Sequence, residues 1–116
     1  MENVELENSK AFRVVDILEY IPQSVVIKSI LRKITGNISA VSFDSGEELV
    51  GKISPFDNLI QIIDGKSEII IDDKSNLLAS GESIIIPAHT KNTIKANVRF
   101  KMISTIIKSG YEEVSL

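Results

Sequence analysis

Residues 59–71 read Leu59-Ile60-Gln61-Ile62-Ile63-Asp64-Gly65-Lys66-Ser67-Glu68-Ile69-Ile70-Ile71, two isoleucine-rich runs separated by Asp-Gly. β-branched side chains are stiff at χ1 and fit a pleated, half-buried surface, so both runs read as strands. Asp64-Gly65 suits a type I′ turn, whose twist matches a two-residue hairpin, and the stretch is therefore expected to be a β-hairpin. The same chemistry extends outward. Isoleucine and valine make up 20 and 9 of the 116 residues, whereas the helix-favouring alanine and leucine are sparse.

Working away from this stretch, Val25 to Ile34 reads as a strand, Thr35-Gly36-Asn37 as a turn and Ile38 to Phe43 as a second strand closed by Asp44-Ser45-Gly46. Downstream, Asp72-Asp73-Lys74-Ser75 is a turn, Asn76 to Ala79 a short strand, Ser80-Gly81 a turn, and Ser83 to Ile86 a strand ending at Pro87. Asn92 to Lys95 and Val98 to Ile107 follow as strands. Phe12 to Ile21 reads as either a strand or one short helical turn ahead of Pro22, and residues 1–10 as a flexible polar end. Eight to ten short strands with frequent turns predict an all-β sandwich or barrel. A chain of 116 residues without an internal linker reads as one domain, 1–116.

Composition excludes several function classes. There is no cysteine, so disulfides, thiol catalysis and cysteine metal sites are absent, and a single histidine leaves little imidazole chemistry. The net charge of −3 gives no electrostatic reason to expect nucleic acid as a partner. No apolar run approaches the length of a membrane helix, and the N-terminus lacks a secretory pattern, so a cytoplasmic protein with no membrane partner is expected.

The spacing of glycine and proline carries a family resemblance. Gly46 is followed by five residues, Lys52-Ile53-Ser54, three residues, Asn58, six residues and Gly65. Later come Gly81, five residues, Pro87-Ala88-His89, two residues, Asn92, three residues and Ala96. These two segments resemble the paired motifs of the cupins, and the likeness spans about residues 36–107. Pro55-Phe56-Asp57, Ile63-Asp64-Gly65 and Ile86-Pro87-Ala88 further resemble small single-domain bacterial cupins. The resemblance implies a double-stranded β-helix, or jelly-roll barrel, and a homodimer.

In metal-binding cupins the motifs supply two histidines, a glutamate and a third histidine to one metal. The matching positions here are Lys52, Ser54, Asn58 and Asn92, none a strong donor for a transition ion. The usual ligand positions are thus substituted, no metal or cofactor is expected, and a metal-dependent dioxygenase is disfavoured. His89 stands where the motif has glycine. Independently of the family, Lys52 and Ser54 are two apart, so a strand would direct both to one face with Ile53 on the other. A polar cluster in an isoleucine-rich cavity is a common form of small-molecule site.

Lys52, Ser54, Asn58, Asn92 and the loop histidine His89 are therefore the candidate ligand-binding residues. Each also has a structural reading: a solvated lysine at the barrel mouth, internally bonded amides, a solvated histidine. Asp57 reads better as a turn-former than as a site residue. No catalytic residue is assigned, since no histidine is placed to activate Ser54. The function expected is non-catalytic binding of a small polar or anionic molecule. The alternatives are a metal-free acid–base enzyme of isomerase or epimerase type, needing Lys52, His89 or Asp57, and an inert barrel that works through a dimer face. In the last case a strand around Phe12 to Leu18 could join a partner's sheet edge.

Overall fold

The computed structural model describes residues 6–108. Among them are eight strands, all paired antiparallel: β1 (Val25–Lys33), β2 (Gly36–Phe43), β3 (Glu48–Gly51), β4 (Asn58–Ile71), β5 (Lys74–Ala79), β6 (Ser83–Ile86), β7 (Asn92–Lys95) and β8 (Phe100–Ile107). The strand path runs β1-β2-β8-β4-β7-β3, with β5 and β6 each paired to β4. This is the all-β barrel that the strand spacing predicted. No helix among the described residues is long and apolar enough to cross a membrane.

One expectation is overturned. Asp64-Gly65 is not a hairpin turn: β4 continues through it for 14 residues. Upstream, Asn58–Gln61 pairs with β6, and Asn58–Gly65 runs along β8 with a register shift between Ile62 and Asp64. Downstream, Lys66–Ile71 pairs with β5 and Glu68–Ile71 with β7. The dipeptide is thus a bulged corner at which one strand changes sheets. Gly65 has φ +79°, and a Cβ there would collide with the Arg99 carbonyl oxygen, so the close approach of β8 requires glycine. The two-residue reversal comes one turn later. Asp72 and Asp73 have φ +49° and +70°, the type I′ pattern, with Ile71 facing Lys74.

The two sheets enclose a core filled at one end of the barrel. Phe43 and Phe100 stack with ring centroids 4.5 Å apart, 12° from parallel. Ile60, Ile62, Ile69 and Met102 are fully buried in the same cluster, and Leu78, Ile94 and Ala96 join it. Each large side chain here stabilises by about 1.5–3 kcal/mol relative to exposure.

Ahead of β1, Phe12 to Ile21 takes the second of its two expected forms, with a 3-10 turn at Val14–Asp16 rather than a strand. Polar side chains hold this arm to the chain's own barrel. Lys101, 8% exposed, donates to the carbonyls of Val15 and Leu18 at 2.7 and 2.8 Å. Ser42 Oγ donates to the Glu19 carbonyl at 3.0 Å, and the Tyr20 hydroxyl donates to Asp64 Oδ2 at 2.5 Å. Arg99 and Lys101 both lie against the Tyr20 ring, 4.7 and 4.9 Å from its centroid. Burial, and then the bonded and charged Asp64, push the Tyr20 phenol well above its ordinary pKa against the opposing pull of Arg99.

Candidate functional site

The end of the barrel opposite the phenylalanine pair is open and holds a cavity of about 290 Å³. Alternation along the strands sets its lining. On β2 the residues facing in are Asn37, Ser39 and Val41, and on β8 they are Met102, Ser104 and Ile106. The register sets these two rows side by side, Asn37 with Ile106, Ser39 with Ser104 and Val41 with Met102. Asn58 opens β4 beside Ile106, and Asn92 opens β7 opposite Gly51. Apolar Val41, Leu49, Ile86, Ile94 and Met102 lie toward the core.

Four of the five candidate residues, Lys52, Ser54, Asn58 and Asn92, line this cavity. Lys52 and Ser54 do so from a loop, because β3 ends at Gly51, not from the strand that the two-residue spacing suggested. Ile53 nonetheless faces away and is 63% exposed. Lys52 is exposed at the mouth, its stem against the cavity wall. The fifth candidate, His89, is exposed and is not part of this lining. Its contribution is backbone. It sits at φ +65°, in the left-handed region that the family's glycine would occupy freely, and its N–H donates to the Ser54 carbonyl at 2.6 Å. Asp57 Oδ1 accepts the Ala88 N–H at 2.8 Å, so these two bonds stitch the 52–57 loop to the 87–91 loop.

Local bonds orient the polar groups. Ser104 Oγ donates to Asn58 Oδ1 at 2.8 Å. Ser54 Oγ accepts the Phe56 N–H at 3.0 Å, an ST turn. The Asn92 amide lies over Gly51, where any Cβ would overlap it, so a missing side chain on β3 makes room for the amide on β7. Thr90 Oγ donates to the Pro87 carbonyl at 2.6 Å. Asn37, Ser39, Thr90 and Ser104 also belong to this polar band, and sequence reasoning missed them. The available signal was Asn37-Ile38-Ser39, polar residues two apart on one strand face; Ser104, between Met102 and Ile106 on its face, gave none.

A transition metal at the family's position is tested by the donors present. An ammonium has no lone pair to give, and Ser54 Oγ and Asn58 Oδ1 already accept hydrogen bonds. Among the described residues no three His, Cys, Asp or Glu side chains gather. This set does not fit a transition ion.

No protein-family model matches the sequence, and no curated protein is similar enough to count as a match. Solved structures do match. A conserved protein of unknown function from Streptococcus pyogenes superposes with TM-score 0.86 at 23% identity, covering 96% of this chain and 98% of that one. A cupin 2 conserved barrel domain protein from Leptotrichia buccalis gives TM-score 0.81 at 28% identity over 84% of this chain, which spans only 47% of that protein. A cupin superfamily protein from Desulfitobacterium hafniense gives 0.83 at 23%, covering 92% and 98%.

Proposed function

The chain is a cupin by fold, and on that premise we propose that it binds a small polar or anionic molecule inside the barrel, without a metal and without catalysis. The observation that carries this reading is the cavity of about 290 Å³ on which Lys52, Ser54, Asn58 and Asn92 converge among apolar walls. Convergent polar groups in an otherwise apolar concavity orient a ligand that the apolar surface helps to desolvate. A binding role is favoured over acid–base catalysis because, among the described residues, the lining presents no pair of titratable groups across the cavity. His89 lies outside, the Asp57 carboxylate is committed to the Ala88 N–H, and Lys52 is exposed.

Native mass spectrometry of the full chain, purified without added metal or chelator, tests the proposal. A retained small organic mass on a metal-free chain is the expected result. A transition metal near one per chain would overturn it and bring the enzyme reading forward.

A further inference from the structure

We infer that the ligand is a hydroxylated carboxylate, a six-carbon hydroxy acid or sugar acid in size. This rests on the binding reading above and follows from which hydrogen-bonding capacity the cavity leaves unused. The internal bonds each occupy one acceptor lone pair: Asn58 Oδ1 accepts from Ser104, and Ser54 Oγ accepts from Phe56. Wholly free at those positions is the donating capacity, the Asn58 NH2 and the Ser54 O–H, beside one lone pair on each oxygen. Thr90 and Ser104 are the reverse case, since their hydroxyl hydrogens go to Pro87 and Asn58 and their oxygens are left to accept. Asn37, Ser39 and Asn92 add groups that both donate and accept. Such a mixture matches ligand hydroxyls, which accept from Asn58 and Ser54 while donating to Thr90.

Charge selects the remaining group. Among the described residues lining the cavity, the one charged side chain is Lys52. Lys108 Nζ lies 5.9 Å from the ring centroid of Phe56, another lining residue. An anionic end therefore belongs at the mouth against Lys52, with the hydroxylated body inside. A cationic ligand would meet the ammonium, and an alkyl ligand would leave the polar band unmatched. About 290 Å³ holds about ten waters at roughly 30 Å³ each, room for a six-carbon chain and little more.

The test is an amide-correlation NMR titration of the full chain with three matched six-carbon probes, gluconate, hexanoate and glucitol, and with glucose 6-phosphate. Gluconate is expected to shift resonances of Asn58, Ser54 and Asn92, and to bind at least about tenfold more tightly than hexanoate or glucitol. K52M, at an exposed position, should weaken gluconate about five- to tenfold, while K66M, exposed beside the Gly65 corner at the other end of the barrel, leaves it unchanged. Equal binding of hexanoate, equal binding of glucitol, or tighter binding of glucose 6-phosphate would each overturn the hydroxy-acid assignment while leaving the cavity reading intact. Failure of all four probes to move any lining resonance would overturn the assignment. If native spectra also show no retained organic mass, the cavity reading falls with it.

Discussion

Replacing Gly65 with alanine is expected to destabilise the protein by about 1–4.5 kcal/mol, because the new Cβ has nowhere to go. Three contributions enter. Holding an alanine at φ +79° costs roughly 1–2 kcal/mol, and the reduced freedom of the unfolded chain returns about 0.4–1 kcal/mol of that. The third is steric. The Cβ would overlap the Arg99 carbonyl oxygen and come within 2.9 Å of Phe100 Cβ and 3.0 Å of Phe100 Cα. These are backbone and near-backbone atoms, and Phe100 is itself stacked on Phe43, so relief means moving β8 off β4. Overpacking of that kind adds about 1–3 kcal/mol. At roughly 4 °C per kcal/mol for a domain of this size, Tm should fall by about 4–18 °C. Gly46→Ala and Gly81→Ala are the controls. Both glycines have positive φ, +88° and +91°, but nothing lies within 4 Å of their Cβ positions, so only the conformational part applies, about 0–1.5 kcal/mol. Urea unfolding followed by far-UV circular dichroism would compare the three at matched m-values. If Gly65→Ala costs no more than the controls, residue 65 sits in an open turn. The sheet-crossing corner, and the assignment of β4 as one strand, would then be wrong.

The raised Tyr20 phenol means that the fold favours the neutral form; stability should be level below the ordinary tyrosine pKa of about 10 and fall as pH rises past it. Tyr20→Phe should abolish that fall, and urea midpoints across about pH 9–11 that decline equally in both proteins would refute the coupling. Ser104→Ala should cost about 0.5–1.5 kcal/mol through the lost bond to Asn58 and shift the Asn58 side-chain amide resonances; unchanged resonances would show that the bond is not formed. Gly51→Ala should displace the Asn92 amide and weaken whatever the cavity binds, and an unaltered Asn92 side-chain signal would rule out their close packing. His89→Gly should leave stability and binding unchanged or improved, whereas His89→Val costs about 1–2 kcal/mol at φ +65°; a ligand affinity lost in His89→Gly would return the imidazole to the site.

Most strands were legible because turn residues bracket them, and β1, β2, β6 and β7 fall close to the runs read from β-branched residues. The corner was not. Asp-Gly supplies the same left-handed freedom to a type I′ turn and to a bulge, and the choice is made by distant partners. Gly65 is held by Arg99 and Phe100, which no window around Asp64 contains. The site shows the same division. Motif spacing found Asn58 and Asn92, and alternation put Lys52 and Ser54 together, although the backbone there is a loop. Asn37, Ser39 and Ser104 were missed because only the pairing of β2 with β8, far apart in sequence, brings their faces together on one cavity. For His89 the spacing located the backbone and said nothing of the ring, which lies outside the lining. Nothing local distinguished Lys101 from a solvated strand lysine; its burial comes from an arm more than 80 positions away.

The length of β4 explains why stability and binding should respond to different substitutions. The strand begins at the mouth with Asn58, whose side chain meets Ser104, and passes through Ile60 and Ile62 in the core. It turns the corner at Gly65 and returns to the core at Ile69. Core volume and the corner therefore fix the barrel from one end, and the polar band at the other is held by short local bonds to Ser104, Phe56 and Gly51's empty Cβ position. Those local bonds let Ser54 and Asn58 face the cavity without stranding their polar groups, since each has a protein partner. The Ser54 O–H and the Asn58 NH2 stay free to donate, the capacity on which the proposed hydroxy-acid ligand would draw. Changing the mouth should alter what binds with little effect on Tm, and changing the corner should do the reverse.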